Sequence, residues 1–335
     1  MAEYHAKRFA RIDGVRVVAV GDRDQGRADR FAAAQGLGAA FDEVSRLCDP
    51  SSVDAVAICS RDGWHRAPVL AALERGLPVF CEKPMARRLE EAEEMVLAAK
   101  RAGVPALVNF SKRNGGLLSL AKSLVEAGRL GRILGAELSY LQSWVLQDSW
   151  GDWRSSPRWR WRLDEGQSTY GALGDLGSHL FDAATLLLGG FEAAACLCRR
   201  FEDPEAGALL PGGAAWESFC ALGGAGDIPV VLRGSFRSRG KLDAFGLVIR
   251  GELADLLLDF DVSRDSLRLA EGGEAWRELQ ARPEVSSYER FVALARGGVD
   301  PLPDPIDFDQ GLRVQRLVDG AAKSAAGREL GSAPA

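Results

Sequence analysis

Asp175 and His179 stand four residues apart in Gly171-Ala172-Leu173-Gly174-Asp175-Leu176-Gly177-Ser178-His179-Leu180-Phe181-Asp182. On a helix, positions four apart lie about 40° apart around the axis and face the same side. A carboxylate one turn from an imidazole can hold its tautomer and raise its basicity, as a general base requires. Asp182, seven residues after Asp175, returns to nearly the same azimuth. The predicted helix runs from Asp175 to Leu188, which puts Asp175 near the end where the dipole favours an ionised carboxylate. Gly174 and Gly177 weaken a helix, so they predict that something flat approaches the backbone there. The competing reading is an N-terminal aspartate beside an incidental histidine, in a chain with only three histidines.

Glu82-Lys83-Pro84 follows an apolar run, Leu77 to Cys81. If that run is a parallel strand, Lys83 falls at the carboxyl edge of the sheet, where ligands of such sheets bind. A lysine there can polarise a hydroxyl or carbonyl oxygen; it could equally be a surface lysine before a helix-starting proline. Asp22 ends the first strand-like run of the chain. In dinucleotide-binding folds an acidic residue about 20 positions after the glycine loop binds the ribose. Counting back reaches Ala2, a legitimate last position of G-x-G-x-x-G/A, with Glu3 to Ala10 as the helix facing a pyrophosphate. The earlier glycines and their strand, on the order of ten residues, would then precede Met1, and the sheet would lack a central member. Arg23 could meet an adenine face or a 2′-phosphate, or be a solvated surface arginine.

The elements that must position these residues alternate. Val15–Val20 is an apolar run that predicts a strand covered on both faces. Helical patterns cover Arg27–Gln35, Arg66–Arg75 and Leu89–Arg101, and further strands are predicted over Asp54–Ser60, Leu77–Cys81 and Ala106–Phe110. This βαβα order predicts a doubly wound, Rossmann-like parallel sheet with its first strand missing, over residues 1–108. A second α/β domain is predicted over 109–325, followed by a tail, 326–335. It begins with a helix, Leu117–Ala127, and a strand, Ile133–Leu141. Strands over 193–201, 216–221, 229–236, 245–250, 254–259 and 266–269, with few helices between them, predict a large open and mostly antiparallel sheet. Asp309–Ala322 is a closing helix.

Composition excludes several classes. Lys+Arg number 42 and Asp+Glu 47, a net charge of −5, which argues against nucleic acid as a partner. Apolar residues are 47% and charged residues 27%, which is ordinary globular composition. The chain start carries charges from its third residue, no apolar run approaches the roughly 20 residues a membrane span needs, and the six cysteines show no zinc spacing. The expectation is a cytoplasmic protein with free thiols, no metal and no membrane partner.

The E-K-P triplet after a strand, the G-A-L-G-D-L-G-S-H-L-F-D segment and the V-V-A-V-x-D-R-D run resemble the Gfo/Idh/MocA family over nearly the whole chain. The resemblance implies a nicotinamide cofactor, NAD or NADP with NAD favoured by Asp22, and hydride transfer to or from a carbon bearing a hydroxyl. The substrate it implies is a sugar, inositol or related polyol. It also implies a homodimer or homotetramer built through the second domain's sheet. Carried over residue by residue, Lys83 contacts the reacting oxygen, His179 transfers the proton and Asp175 is its partner. Ala2, Asp22, Arg23, Ser60, His65 and Glu82 fall on the cofactor side, although Arg61 and Asp62 replace the Pro and Asn that precede His65 in the family's pattern. Arg113, Trp161 and Arg162 fall on the substrate side. The stretch from Trp144 to Arg162, rich in Trp and Arg, could bind a sugar-like or acidic substrate or serve packing. The rival reading is a non-catalytic homologue that senses a ligand, motivated by the absent glycine loop.

Overall fold

The computed structural model describes residues 1–201 and 206–327. The chain divides into two units, Met1–Ser111 with Val285–Leu312, and Lys112–Glu284 with the segment from Arg313 onward. The division differs from the contiguous one expected at residue 108, because Val285–Leu312 returns to the first unit.

In the first unit, short apolar runs form parallel strands β1 (Ala19–Gly21), β2 (Ala39–Phe41), β3 (Val56–Ile58), β4 (Val79–Cys81) and β5 (Ala106–Val108). They form two separate ladders, β1-β2 and β3-β4-β5. Helices Gln25–Gln35, Arg66–Leu73 and Leu89–Ala102 connect them. Asp24 caps the first of these by accepting from Arg27 N, and Gly36 and Gly103 end helices in the left-handed region at φ +66° and +65°. That conformation is open to glycine at little cost.

The prediction for Val15–Val20 is corrected. Strand geometry starts only at Ala19, and Val18 is 38% exposed. Among the described residues β1 pairs with β2 alone, so its apolar run is covered on fewer sides than a central strand's would be. The strand β2 and the helix Ser287–Ala295, which opens on a Ser286/Glu289 capping box, are additions to the prediction.

The second unit is built on an eight-stranded sheet. Its strands are β6 (Ile133–Leu141), β7 (Glu192–Arg199), β8 (Ser218–Ala225), β9 (Ile228–Ser235), β10 (Ala244–Gly251), β11 (Ala254–Asp259), β12 (Ser266–Glu271) and β13 (Arg277–Gln280). The order is β13-β12-β11-β10-β6-β9-β8-β7. Every pair is antiparallel except β6 with β9. Ala136, Leu138 and Tyr140 alternate as buried positions of β6, on the face that the Gly177–Leu188 helix covers. The other face exposes Leu197, Leu222 and Val231.

The predicted helix Asp175–Leu188 is two helices, Ala172–Asp175 and Gly177–Leu188, with Leu176 between them. Asp175 therefore closes a one-turn helix, and His179 lies in the first turn of the next. The flat neighbour expected at the glycines comes from the chain itself. A Cβ on Gly174 would lie 1.8 Å from Thr169 O, and one on Gly177 would lie 3.2 Å from the Phe219 ring. The closing helix runs Phe308–Ala326, and the rest of the predicted tail, from residue 328, lies outside the described residues.

Candidate active site

In the first unit Asp22 follows β1, Ser60 follows β3 and Glu82 follows β4, each beyond the carboxyl end of its strand. Ala2 is the first residue of the Ala2–Phe9 helix, whose N-terminus has no side-chain cap. The first N–H groups of a helix lack carbonyl partners within it, and such an end can receive a phosphate. Asp22 follows β1 and accepts from Asp24 N at 2.9 Å and from the Arg27 guanidinium at 3.0 Å, both on Oδ1. Arg23 lies 3.9 Å over the Trp64 ring, and Arg61 stands 5.2 Å from the same ring. Trp64 is 39% exposed, so its indole forms a platform carrying two cations. Exposed Ser60 donates to Trp64 O at 3.2 Å.

His65 has no exposed surface. Its Nε2 lies 3.0 Å from Ser60 O, and its Nδ1 lies 3.1 Å from Pro84 O and 3.3 Å from Met85 O. It ties the loop after β3 to the turn after β4, which contains the cis Lys83-Pro84 bond. Any influence on a cofactor therefore passes through those loops. Burial alone would lower its pKa, but Cys81, Asp62 and the Ser60 carbonyl reverse this and push it up to about 10.

Glu82 is 8% exposed and is the hub of a network. Oε1 accepts from Asn109 Nδ2 at 2.6 Å and lies 3.0 Å from His5 Nε2, while Oε2 accepts from Lys83 N at 3.1 Å. Tyr288 Oη lies 3.0 Å from His5 Nδ1, and Ser287 donates to Asn109 Oδ1 at 2.8 Å. Burial would raise the Glu82 pKa, but His5, Asn109 and Lys83 hold it below the usual carboxylate value. The charged form is thus kept inside the unit, directly before Lys83, whose side chain is half-buried.

In the second unit His179 is 4% exposed. Asp175 accepts from Arg162 Nε at 3.2 Å, and Arg162 lies 4.4 Å over Trp161 and 5.2 Å over Trp159. The Tyr140 ring meets His179 edge-on at 5.8 Å and 60°. Arg113, expected to line the site, is 8% exposed and forks onto Asp182 at 2.8 and 2.5 Å. Among the tryptophans, Trp144 and Trp153 are buried core residues, whereas Trp159 and Trp161 frame Arg162. The described residues hold no group of three or more His, Cys, Asp or Glu side chains suited to a metal ion.

A model of the oxidoreductase family with an NAD-binding Rossmann fold matches residues 1–110, and one of the GFO/IDH/MocA C-terminal domain matches residues 118–255. The chain belongs to the Gfo/Idh/MocA family. Among curated relatives, levoglucosan dehydrogenase of Pseudarthrobacter phenanthrenivorans is 35% identical over 147 residues, 44% of this chain and 36% of that protein. Glucose-6-phosphate 3-dehydrogenase of Bacillus subtilis is 33% identical over 182 residues, 54% of this chain and 49% of that protein. The matched regions thus span half or less of these relatives' lengths. Among solved structures, levoglucosan dehydrogenase in complex with NADH superposes with TM-score 0.82 at 24% identity, covering 97% of this chain and 94% of that one. An inositol dehydrogenase homologue complexed with NAD+, from Azotobacter vinelandii, gives TM-score 0.82 at 21% identity, with coverages of 96% and 91%. These likenesses show that the family fold is retained.

Sequence reading missed several members of these clusters. His5, Asn109, Ser287 and Tyr288 join Glu82 from three other parts of the first unit. Lys112 and Asp243 flank Tyr140 in the second: Lys112 Nζ lies 3.0 Å from Asp243 Oδ2 and 4.4 Å over the Tyr140 ring. One signal was present. Tyr140 places a hydroxyl in the apolar alternation of β6, and a buried hydroxyl needs a partner.

Proposed function

We propose that this chain is an NAD(H)-dependent oxidoreductase acting on a hydroxyl-bearing carbon of a sugar, inositol or related polyol. The observation that carries the proposal is the buried His179 imidazole, four residues from an Arg162-held Asp175. The family and the relatives named as sugar and inositol dehydrogenases support it. When bound, nicotinamide supplies the two-electron acceptor or donor. As the substrate's C–OH becomes C=O, His179 takes the hydroxyl proton. The Lys83 ammonium stabilises negative charge developing on that oxygen, and Asp175 stabilises the imidazolium.

On the cofactor side, the uncapped Ala2–Phe9 N-terminus suits a pyrophosphate, with Ala2 as the last loop position. Asp22 suits the ribose hydroxyls, which favours NAD over NADP; Arg23, held on Trp64, suits the adenine. Ser60 contacts the nicotinamide side, and His65 and Glu82 support it from beneath. The six free thiols fit a cytoplasmic location. The uncovered sheet face, with Leu222 at 50% exposure, fits a homodimer or homotetramer, which light scattering would measure.

The test is fluorescence titration with NADH and NADPH, then a panel of levoglucosan, inositols and hexose phosphates with the wild type, Lys83→Ala and His179→Ala. Tighter NADH binding is expected, with turnover lost in both variants. Turnover that persists in both would overturn the assigned roles, and binding without turnover of any polyol would favour a ligand sensor.

A further inference from the structure

We propose that Tyr140 is a positioning residue for the His179 imidazole, and that Asp243 and Lys112 lock it in place. The proposal rests on the reading of His179 as the proton-transfer group. Tyr140 lies on the face of β6 under the Gly177–Leu188 helix and is 6% exposed. Its ring meets His179 edge-to-face at 5.8 Å, an arrangement in which the ring quadrupole favours one relative orientation over others.

Tyr140 is held on further sides by Asp243, Lys112 and Phe245. Its hydroxyl donates to Asp243 Oδ1. Asp243 is fixed in turn by Lys112 at 3.0 Å, Arg264 at 3.1 Å and Gln142 Nε2 at 3.4 Å. Lys112 Nζ stands 4.4 Å over the tyrosine ring, and Phe245 packs against it at 5.8 Å and 81°. Swinging the phenol away would break a charge-assisted hydrogen bond and a cation–π contact together. The imidazole therefore packs against a ring anchored at its hydroxyl and its face.

The same contacts exclude Tyr140 as the proton donor. Its proton is committed to Asp243, and burial followed by the Asp243 charge raises its pKa well above the ordinary phenol value. Its role is geometric. A proton acceptor displaced by about 1 Å can lose about 100-fold in rate, so a rigid wall is worth having beside the base.

The experiment compares Tyr140→Phe, Tyr140→Leu and His179→Ala in the full chain. Tyr140→Leu is expected to lower kcat about 10- to 100-fold with both KM values within about twofold. Tyr140→Phe, which keeps the ring, is expected to lose less. With only three histidines, imidazole NMR gives a readout independent of turnover. The His179 resonances shift in Tyr140→Leu as the ring current disappears, while those of His5 and His65 stay. Unchanged kcat in Tyr140→Leu, with His179→Ala inactive, overturns the proposal and leaves the functional reading standing. Full activity in His179→Ala overturns that reading instead. Should the leucine variant not fold, Asp243→Asn carries the same test: kcat falls with KM unchanged, and an unaltered kcat overturns the lock.

Discussion

Arg162 Nε donates to Asp175 Oδ2 at 3.2 Å while its guanidinium lies over the rings of Trp161 and Trp159. The two side chains are largely buried, at 14% and 16% exposure. The indoles hold the guanidinium, and the guanidinium sets the carboxylate that closes the helical turn before His179. Arg162→Ala is therefore expected to act through Asp175, lowering kcat by about 10- to 100-fold. Arg162→Lys, which keeps the charge and loses the planar stack, is expected to fall between. Steady-state kinetics decide: a pure rise in KM would make Arg162 a substrate-binding group instead.

The fork between Arg113 and Asp182 calls for a stability measurement. Arg113 and Asp182 have side-chain exposures of 8% and 2%. Asp182→Ala strands a guanidinium away from water, and breaking a buried pair in this way costs about 3–5 kcal/mol. Replacing both ends, with Arg113→Met and Asp182→Leu together, removes the stranded charge and should recover much of the loss. Urea unfolding of the wild type and these two variants measures the difference. Equal losses in single and double variants would show that the pair's shape, and not its charge, holds the site.

How legible these features were depended on their range along the chain. Lys83 could be placed because the apolar run before it forms a strand, β4, whereas the one helix expected to carry Asp175 and His179 is two, broken at Leu176. The Asp182 partner, 69 residues away, leaves no trace in any local pattern. Nor does the link from Glu82 to His5 and Asn109, which exists only once a helix, two strands and the returning segment 285–312 are assembled. The error at Val15–Val20 has the same origin. Apolarity shows that a residue prefers burial, while the number of neighbouring strands decides whether it is buried. The glycines near His179 predict a flat neighbour without saying which, and Thr169 and Phe219 of the same unit take that place.

Two glycines yield substitutions of opposite sign. At Gly174 an added Cβ would lie 1.8 Å from the Thr169 carbonyl oxygen, and a backbone carbonyl has no rotamer by which to move aside. Gly174→Ala is expected to destabilise by about 3 kcal/mol or more, at or above the upper end of overpacking penalties. Gly320 lies inside the Phe308–Ala326 helix with nothing within 4 Å of its added Cβ. Gly320→Ala should stabilise by about 0.5–1 kcal/mol, through helix propensity and lower unfolded-state entropy. Thermal unfolding of both variants tests the pair, and a Gly174→Ala protein as stable as wild type would show that the segment at Thr169 shifts readily.

His65 gives a prediction about pH. Its ring nitrogens face backbone carbonyls on both sides, at 3.0 Å for Ser60 O and 3.1 Å for Pro84 O. Only the doubly protonated imidazole donates to both. The folded state holds this proton up to about pH 10, whereas an unfolded chain releases it near 6.5, roughly the unperturbed value. Below about pH 6.5 both states carry the proton and the contribution to stability is complete. Above that pH only the folded state keeps it, so stability declines until the folded group also titrates near pH 10. His65→Gln removes the titration, so the wild type's advantage over it should shrink steadily between pH 7 and pH 9 in urea unfolding. A constant difference across that window would mean that His65 is neutral when folded, with one ring nitrogen facing a carbonyl it cannot bond.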